Sequence, residues 1–216
     1  MGHLPLLIIG GGGHAKVLAA AALEQGWRVL GFADPKPPAS VLIADLRCLG
    51  DDDYARGLDP QTLLLVNGVG SVGNTSERRE VYESFTTLGF TFATIVHPRA
   101  YVATAVSLQP GAQIMAGAVV QPGSTIGMNV IINTSASVDH DCLVAEHAHI
   151  APGAVLSGMV HIGAGSHIGA GATVIQGCKI GAGSLVAAGA VVVGDVPAGS
   201  RVAGVPARPF RNTRSI

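Results

Sequence analysis

From Ala100 onward the chain keeps a strict period of six. Set in rows of six, the third position is aliphatic in every row: Val102, Leu108, Ile114, Val120, Ile126, Ile132, Val138, Val144, Ile150, Leu156, Ile162, Ile168, Val174, Ile180, Val186 and Val192. The first position is mostly small, as at Ala112, Ala118, Ser124, Ala136, Ala148 and Ala154, and the sixth is mostly Gly, Asn or Asp. Six matches neither the helical period of about 3.6 nor an uninterrupted strand. It fits a short strand followed by a corner. The small residue lies two positions before the aliphatic one and points to the same side. Gly, Asn and Asp reach the backbone angles that a tight corner needs. Three such sides close a triangular coil of 18 residues, and the 96 residues from Ala100 to Asp195 give 96/18, a little over five coils. The expected fold of this half is a parallel β-helix.

Composition matters here for what it excludes. Charged residues are only 12% of the 216, and there are 30 glycines. In other contexts such a balance marks a membrane protein or a low-complexity segment. No uninterrupted apolar run reaches the ~18 residues of a spanning helix, and the glycines are periodic. A net charge of −1 gives no reason to expect nucleic acid or an anionic membrane surface as a partner. The apolar stretch near the start is short and runs into a glycine loop, unlike a signal peptide, so a cytoplasmic location is expected. Three cysteines, Cys48, Cys142 and Cys178, do not suggest a disulfide framework.

The N-terminal half reads differently. Leu6–Ile9 is an apolar strand, Gly10–Gly13 a glycine turn, and His14 opens a helix running to Gln25. Val29–Ala33 is a second strand that ends at Asp34. This is a βαβ unit with a glycine-rich first turn and an acid after its second strand. Leu63–Val66 is the one clear further strand, Ser76–Leu88 a helix, and Phe92–Val96 a strand leading into His97-Pro98. The expected architecture is a small Rossmann-like α/β domain over residues 1–96, followed by the β-helix and a closing segment over 97–216.

That combination resembles the hexapeptide-repeat acyltransferases, and over essentially the whole chain the sialic-acid O-acetyltransferase-like group that includes bacterial nucleotide-sugar N-acetyltransferases. Ala203-Gly204-Val205-Pro206-Ala207-Arg208 is similar to the closing motif of these enzymes. The resemblance implies a left-handed coil, a homotrimer with sites between subunits, acetyl-CoA as acyl donor, and a first domain that holds a sugar nucleotide. It points to N-acetylation of a 4-amino-4,6-dideoxy sugar, such as perosamine on GDP, for surface polysaccharide or O-antigen synthesis. O-acetylation of a sugar or sialic acid is the alternative within the same machinery. From a different class, Gly10, Gly12, Ala15 and Asp34 also allow an NAD-binding reading, and the coils alone a purely structural one.

The repeat carries one polar cluster. Val106–Asp195 contains no aromatic residue and five charges, Asp139, Asp141, Glu146, Lys179 and Asp195, two of which flank His140. Acyl transfer from a thioester needs a base for the acceptor's proton, and neutral histidine suits that role. A histidine followed by an acid matches the family motif, which makes His140 the expected base and Asp141 its orienter, with Asp139 second. Gly158, one coil on, is expected to leave a groove for pantetheine or sugar beside the ring. Asn133 and His149 match family site positions by their spacing from His140. His149 is half a coil from His140, so only another subunit can bring the two together. In the first domain Gly12, Gly13, His14 and Asp34 are the expected ligand contacts, the glycine turn suiting an anion at a helix N-terminus. His149 and His167 stack 18 residues apart without an evident third ligand, so no metal is expected.

Overall fold

The computed structural model describes residues 4–37 and 45–210. Its first domain comprises β1 (Leu6–Ile9), α1 (Gly13–Glu24), β2 (Val29–Ala33), β3 (Cys48–Gly50), α2 (Asp52–Arg56), β4 (Leu64–Asn67) and α3 (Ser76–Thr87). The four strands form one parallel sheet in the order β3-β2-β1-β4. All four β1 residues are buried, which is why Leu6–Ile9 reads as a continuous apolar run rather than an alternating one. α1 turns Ala15, Leu18, Ala19 and Ala22 onto the sheet. α3 buries Arg78, Tyr82 and Phe85, positions four and three apart on one helical face. The short strand β3 was not anticipated. Its three residues are too few to show alternation, and it follows a segment outside the described residues.

β1 is the point where the sheet order reverses, with β2 on one side and β4 on the other. In an open parallel sheet the turns leaving such neighbouring strands diverge to opposite faces and leave a crevice at their C-terminal ends. Here those turns are Gly10–Gly13 after β1 and Gly68–Val72 after β4.

The second half is a left-handed parallel β-helix. Two-residue strands separated by 18 residues stack in register: Gln113, Ile131, His149, His167 and Leu185 follow one another up one side. Three parallel sheets form the sides of the prism. The aliphatic and small columns fill its interior in one continuous core from Ala112 to Val202. The corners take left-handed backbone at Gly111, Gly117, Gly123, Asn129, Asp141 and Gly153, as the sixth column requires. Ser135, His147 and Met159 occupy the same column with φ of 55°, 60° and 59°, so the repeat imposes that geometry even on side chains that disfavour it.

The coils extend beyond the hexad columns at both ends. Ile95–Val96 pairs with Gln113–Ile114, placing a strand before the first row. Arg201–Ala203 pairs with Leu185–Val186, and Arg208–Pro209 returns antiparallel to it, covering what would be an open sheet edge. The first domain packs on the same side of the prism. Met115 joins the α1 core cluster, and Tyr82 stacks on Phe92 and donates to the Pro110 carbonyl.

Candidate active site

A cleft of about 660 Å³ opens between the domains, at the C-terminal ends of β1, β2 and β4. Gly10–Gly13, His14 and Asp34 line one wall, Gly68–Val72 another, and Asn133, Thr134, His149 and Pro152 of the coils form its floor. The glycines here have distinct reasons. Gly10 has φ of 99°, and a Cβ at Gly68 would stand 2.7 Å from Ile8 Cγ2 and 2.9 Å from Ala15 Cβ. Gly12 and Gly13 face open space, so their missing side chains leave the start of α1 bare. No side chain caps α1 and no acid lies in its first turn. Its amides and partial positive charge are therefore turned to the cleft.

Asp34 holds the glycine turn. Its Oδ2 accepts from Gly11 N at 2.6 Å and its Oδ1 from Lys36 N at 2.7 Å. Each oxygen retains a further lone pair for a ligand hydroxyl or amine. His14 ties the turn to the coils, with its Nε2 2.8 Å from Gln113 Oε1. Gln113 in turn donates to the Asn67 carbonyl at 2.9 Å. Burial and the nearby Arg78 charge lower the His14 pKa to about 4, with the Gln113 bond opposing them.

On the floor, Asn133 Oδ1 accepts from Thr134 N at 2.8 Å, which leaves its amide to donate to His149 Nε2 at 3.0 Å. His149 Nδ1 then carries the proton and donates to Ser71 Oγ at 2.7 Å. Burial, chiefly, and the neighbouring His167, His14 and Arg78 push the His149 pKa down to about 2. This imidazole stays neutral and serves as a fixed polar wall.

His140 and Asp141 lie at a corner outside this cleft. His140 Nδ1 is 2.8 Å from Asp141 Oδ2, and the His140 backbone N–H donates to Asp139 Oδ1 at 2.7 Å. The ring is half exposed, and Nε2 has no hydrogen-bond partner among the described residues. The Asp141 bond, then the charges of Asp139 and Asp141, raise its pKa above the usual histidine value. The dyad is housed by two glycines. A Cβ at Gly123, one coil earlier, would stand 2.3 Å from Asp141 Oδ1, and one at Gly158 would stand 2.4 Å from His140 Nε2. The expectation of an open groove at Gly158 is thus corrected: the imidazole itself lies over Gly158 and fills the room that the missing side chain leaves.

Within one chain the structure therefore gathers Gly12, Gly13, His14, Asp34, Asn133 and His149 into one cleft, and keeps His140, Asp141 and Gly158 together elsewhere. Reading the sequence missed Ser71, Asn67, Gln113, Asn129 and Arg78. Arg78 carried the clearest signal, since in the charged run Ser76–Glu80 it alone shares a helical face with Tyr82 and Phe85. Asn129 was legible only as a corner former. Among the described residues, no group of three or more His, Cys, Asp or Glu could hold a metal, and no helix is long and apolar enough to cross a membrane.

The family model described as "PglD N-terminal domain" matches residues 5–85, and that of the bacterial transferase hexapeptide (six repeats) matches residues 159–194. Comparison with curated protein sequences gave no match. Among solved structures, the acetyltransferase domain of PglB from Neisseria gonorrhoeae, in complex with acetyl coenzyme A, is 40% identical with a TM-score of 0.90, over 97% of this chain and 100% of that one. PerB from Caulobacter crescentus, in complex with CoA and GDP-perosamine, is 36% identical with a TM-score of 0.88, over 96% and 97%. WeeI from Acinetobacter baumannii shares the fold at 22% identity and a TM-score of 0.86. With a small parallel α/β domain, a hexapeptide β-helix and this degree of identity along its whole length, the chain belongs to the hexapeptide-repeat sugar acetyltransferases.

Proposed function

We propose that this enzyme transfers the acetyl group of acetyl-CoA to the amino group of a nucleotide-linked 4-amino-4,6-dideoxy sugar, such as GDP-perosamine. The observation that carries the reading is the interdomain cleft, which unites the bare start of α1 and Asp34 with Asn133 and His149 on the coils. The first domain holds the nucleotide and the coils receive the sugar. The co-crystallised GDP-perosamine of the 36% identical Caulobacter enzyme supports the choice of acceptor.

A second cavity of about 820 Å³ adjoins the cleft and shares Ser71, Asn133 and His149 with it. It runs along the coils past Ala170, Ala187 and Ala188 to Arg201 and Phe210. From His149 to Arg201 it climbs three strands, about 14 Å at ~4.8 Å each. Its largely apolar lining, with Ala170, Ala187 and Ala188, suits a pantetheine arm, and Arg201 at its far end suits a phosphate. Acetyl-CoA in this channel brings its thioester to His149.

The base comes from a neighbouring subunit. The coil rises ~4.8 Å in 18 residues, so His140, seven residues after Asn133 and nine before His149, lies about 2 Å above the one and about 2 Å below the other along the axis. A threefold axis parallel to the coil preserves that height and presents the partner's His140 level with the Asn133–His149 pair. The corner that bears His140 is flanked by exposed Leu143, Val155, Met159, Ile175 and Val193, a surface suited to burial against a partner. The free amine then attacks the thioester carbonyl carbon, the C–S bond breaks as the tetrahedral intermediate collapses, and His140 Nε2 takes the amine proton. His140 returns that proton to the departing thiolate, so the coenzyme leaves as the thiol and the base is neutral again. Asp141 fixes the tautomer that leaves Nε2 unprotonated.

The test is release of free thiol from acetyl-CoA against a panel of nucleotide sugars that carry a 4-amino group, a 4-hydroxyl or neither. Turnover confined to the amino sugars is expected. Turnover with the hydroxyl sugars alone would replace this reading by O-acetylation, and reduction of NAD with no thiol release would end it.

A further inference from the structure

Arg78 is fully buried on α3, yet no carboxylate lies within ion-pairing distance of it among the described residues. Its guanidinium donates only to backbone carbonyls: Asn67 O at 3.0 Å, Val69 O at 2.8 Å and Asn129 O at 3.2 Å. Burying a charge without a counter-ion is costly, so its position invites a functional explanation. One lies next to it. The cleft assigned above to a nucleotide diphosphate is lined by no lysine or arginine among the described residues, and it carries the carboxylates of Asp34 and Glu77. A dianion there needs positive potential from behind the wall.

The loop after β4 supplies the connection. Arg78 draws the Asn67 and Val69 carbonyls inward. In a trans peptide the N–H points opposite to the C=O, so the Val69–Gly70 unit turns the Gly70 N–H away from Arg78. Gly70 lines the cleft, and its N–H has no protein acceptor among the described residues. The Arg78 charge also reaches both imidazoles of the cleft, lowering the pKa of His14 and of His149.

We infer that Arg78 is a positioning residue for substrate: it aims the Gly70 amide at the diphosphate of the sugar nucleotide and supplies, through the wall, the positive potential that the cleft's own lining lacks. This rests on the nucleotide-sugar reading of the cleft. Its guanidinium fork spans three carbonyls on two elements, a geometry that the single ammonium of lysine cannot reproduce.

The experiment is calorimetric titration of the full chain and of Arg78→Lys with GDP and UDP, and with guanosine and uridine as uncharged controls. The loss of one aligned, charge-assisted hydrogen bond weakens diphosphate binding roughly 10- to 100-fold, while nucleoside binding should stay within about threefold. Equal losses for diphosphate and nucleoside would reduce Arg78 to a structural role, and no loss for either would overturn the inference. If wild-type protein binds neither diphosphate, the nucleotide-sugar reading itself fails. Should Arg78→Lys not fold, amide chemical shifts of wild-type protein on addition of the bound diphosphate decide the matter. The Gly70 N–H resonance should be among those that move most, and an unmoved Gly70 among shifting neighbours would refute the proposal.

Discussion

Replacing Gly158 by alanine places one methyl group where the imidazole of His140 now lies. The new Cβ would stand 2.4 Å from Nε2, 2.6 Å from Cε1 and 3.0 Å from Cδ2. Ordinary carbon contacts begin at about 3.5 Å, so the ring must withdraw by about 1 Å. The three nearest atoms all belong to that ring, and Gly158 does not have left-handed backbone, so alanine fits the chain conformation. Within one chain His140 is half exposed and its ring is bonded only to Asp141, so the chain's own fold has little to lose. A gain of up to about 1 kcal/mol is even expected from the stiffer unfolded chain. Catalysis depends on closer tolerances. A displacement of about 1 Å in a reacting group costs on the order of 10²-fold in rate. Gly158→Ala should therefore lower kcat about 10²-fold while its melting temperature holds or rises slightly. Steady-state thiol release and thermal denaturation on the same preparation make the comparison. Wild-type turnover in a correctly folded Gly158→Ala enzyme would show that the observed seat of His140 is not its working position.

Further expectations follow from the same geometry. As the proposed base His140 must be neutral to act, and its pKa is raised mainly by the Asp141 hydrogen bond; activity should fall as pH drops through a value above 6.5, and Asp141→Asn should lower kcat and move that limb downward in a pH–rate profile. An unmoved limb would dissociate Asp141 from the base. Asp34→Ala removes the acceptor of the Gly11 and Lys36 amides and should raise KM for the sugar nucleotide roughly tenfold, as for one lost hydrogen bond to a charge, with KM for acetyl-CoA nearly unchanged; equal effects on both would contradict the division of the two cavities. His14 and His149 are held neutral in the folded state, with pKa values of about 4 and about 2, whereas the unfolded chain protonates them near 6.5. Because the unfolded state binds more protons, stability should decline as pH falls from 6.5 through 4. Melting curves from pH 7 to pH 4 that showed no decline would indicate that these rings are wetter than the structure places them.

The β-helix was legible because its physics is local. A residue at one hexad column faces the core whatever the rest of the chain does, so Val102 to Val192 announce the prism, and the glycine column announces its corners. The glycine turn and Asp34 were legible for a similar reason, since a βαβ unit fixes where the turn and the acid fall. His140 stood out because charge is scarce around it. What stayed hidden depends on how the two halves meet. Gln113 and Asn129 sit at ordinary positions of the repeat, and only the docked first domain turns them into partners of His14 and Arg78. Gly158 was noticed, but the repeat alone does not say whether the room it leaves goes to a ligand or to the neighbouring imidazole. The separation of His140 from His149 on one chain follows from the period. Whether a second chain closes that gap, as proposed, depends on an interface that no single-chain pattern encodes.

In the proposed enzyme each site joins the interdomain cleft of one subunit to His140 of the next, and mixed trimers distinguish that arrangement from a site within one chain. His140→Ala chains lack the base, and Asp34→Ala/His149→Ala chains lack the cleft; each homotrimer should be nearly inactive. Co-expressed in equal amounts and assembled at random, about one interface in four pairs an intact cleft with an intact His140 across a cyclic trimer. The mixture should recover about a quarter of wild-type turnover per site. If the two parts act within a single chain, every chain in the mixture carries one dead half, and trimers shown to be mixed would have no activity beyond that of the parents.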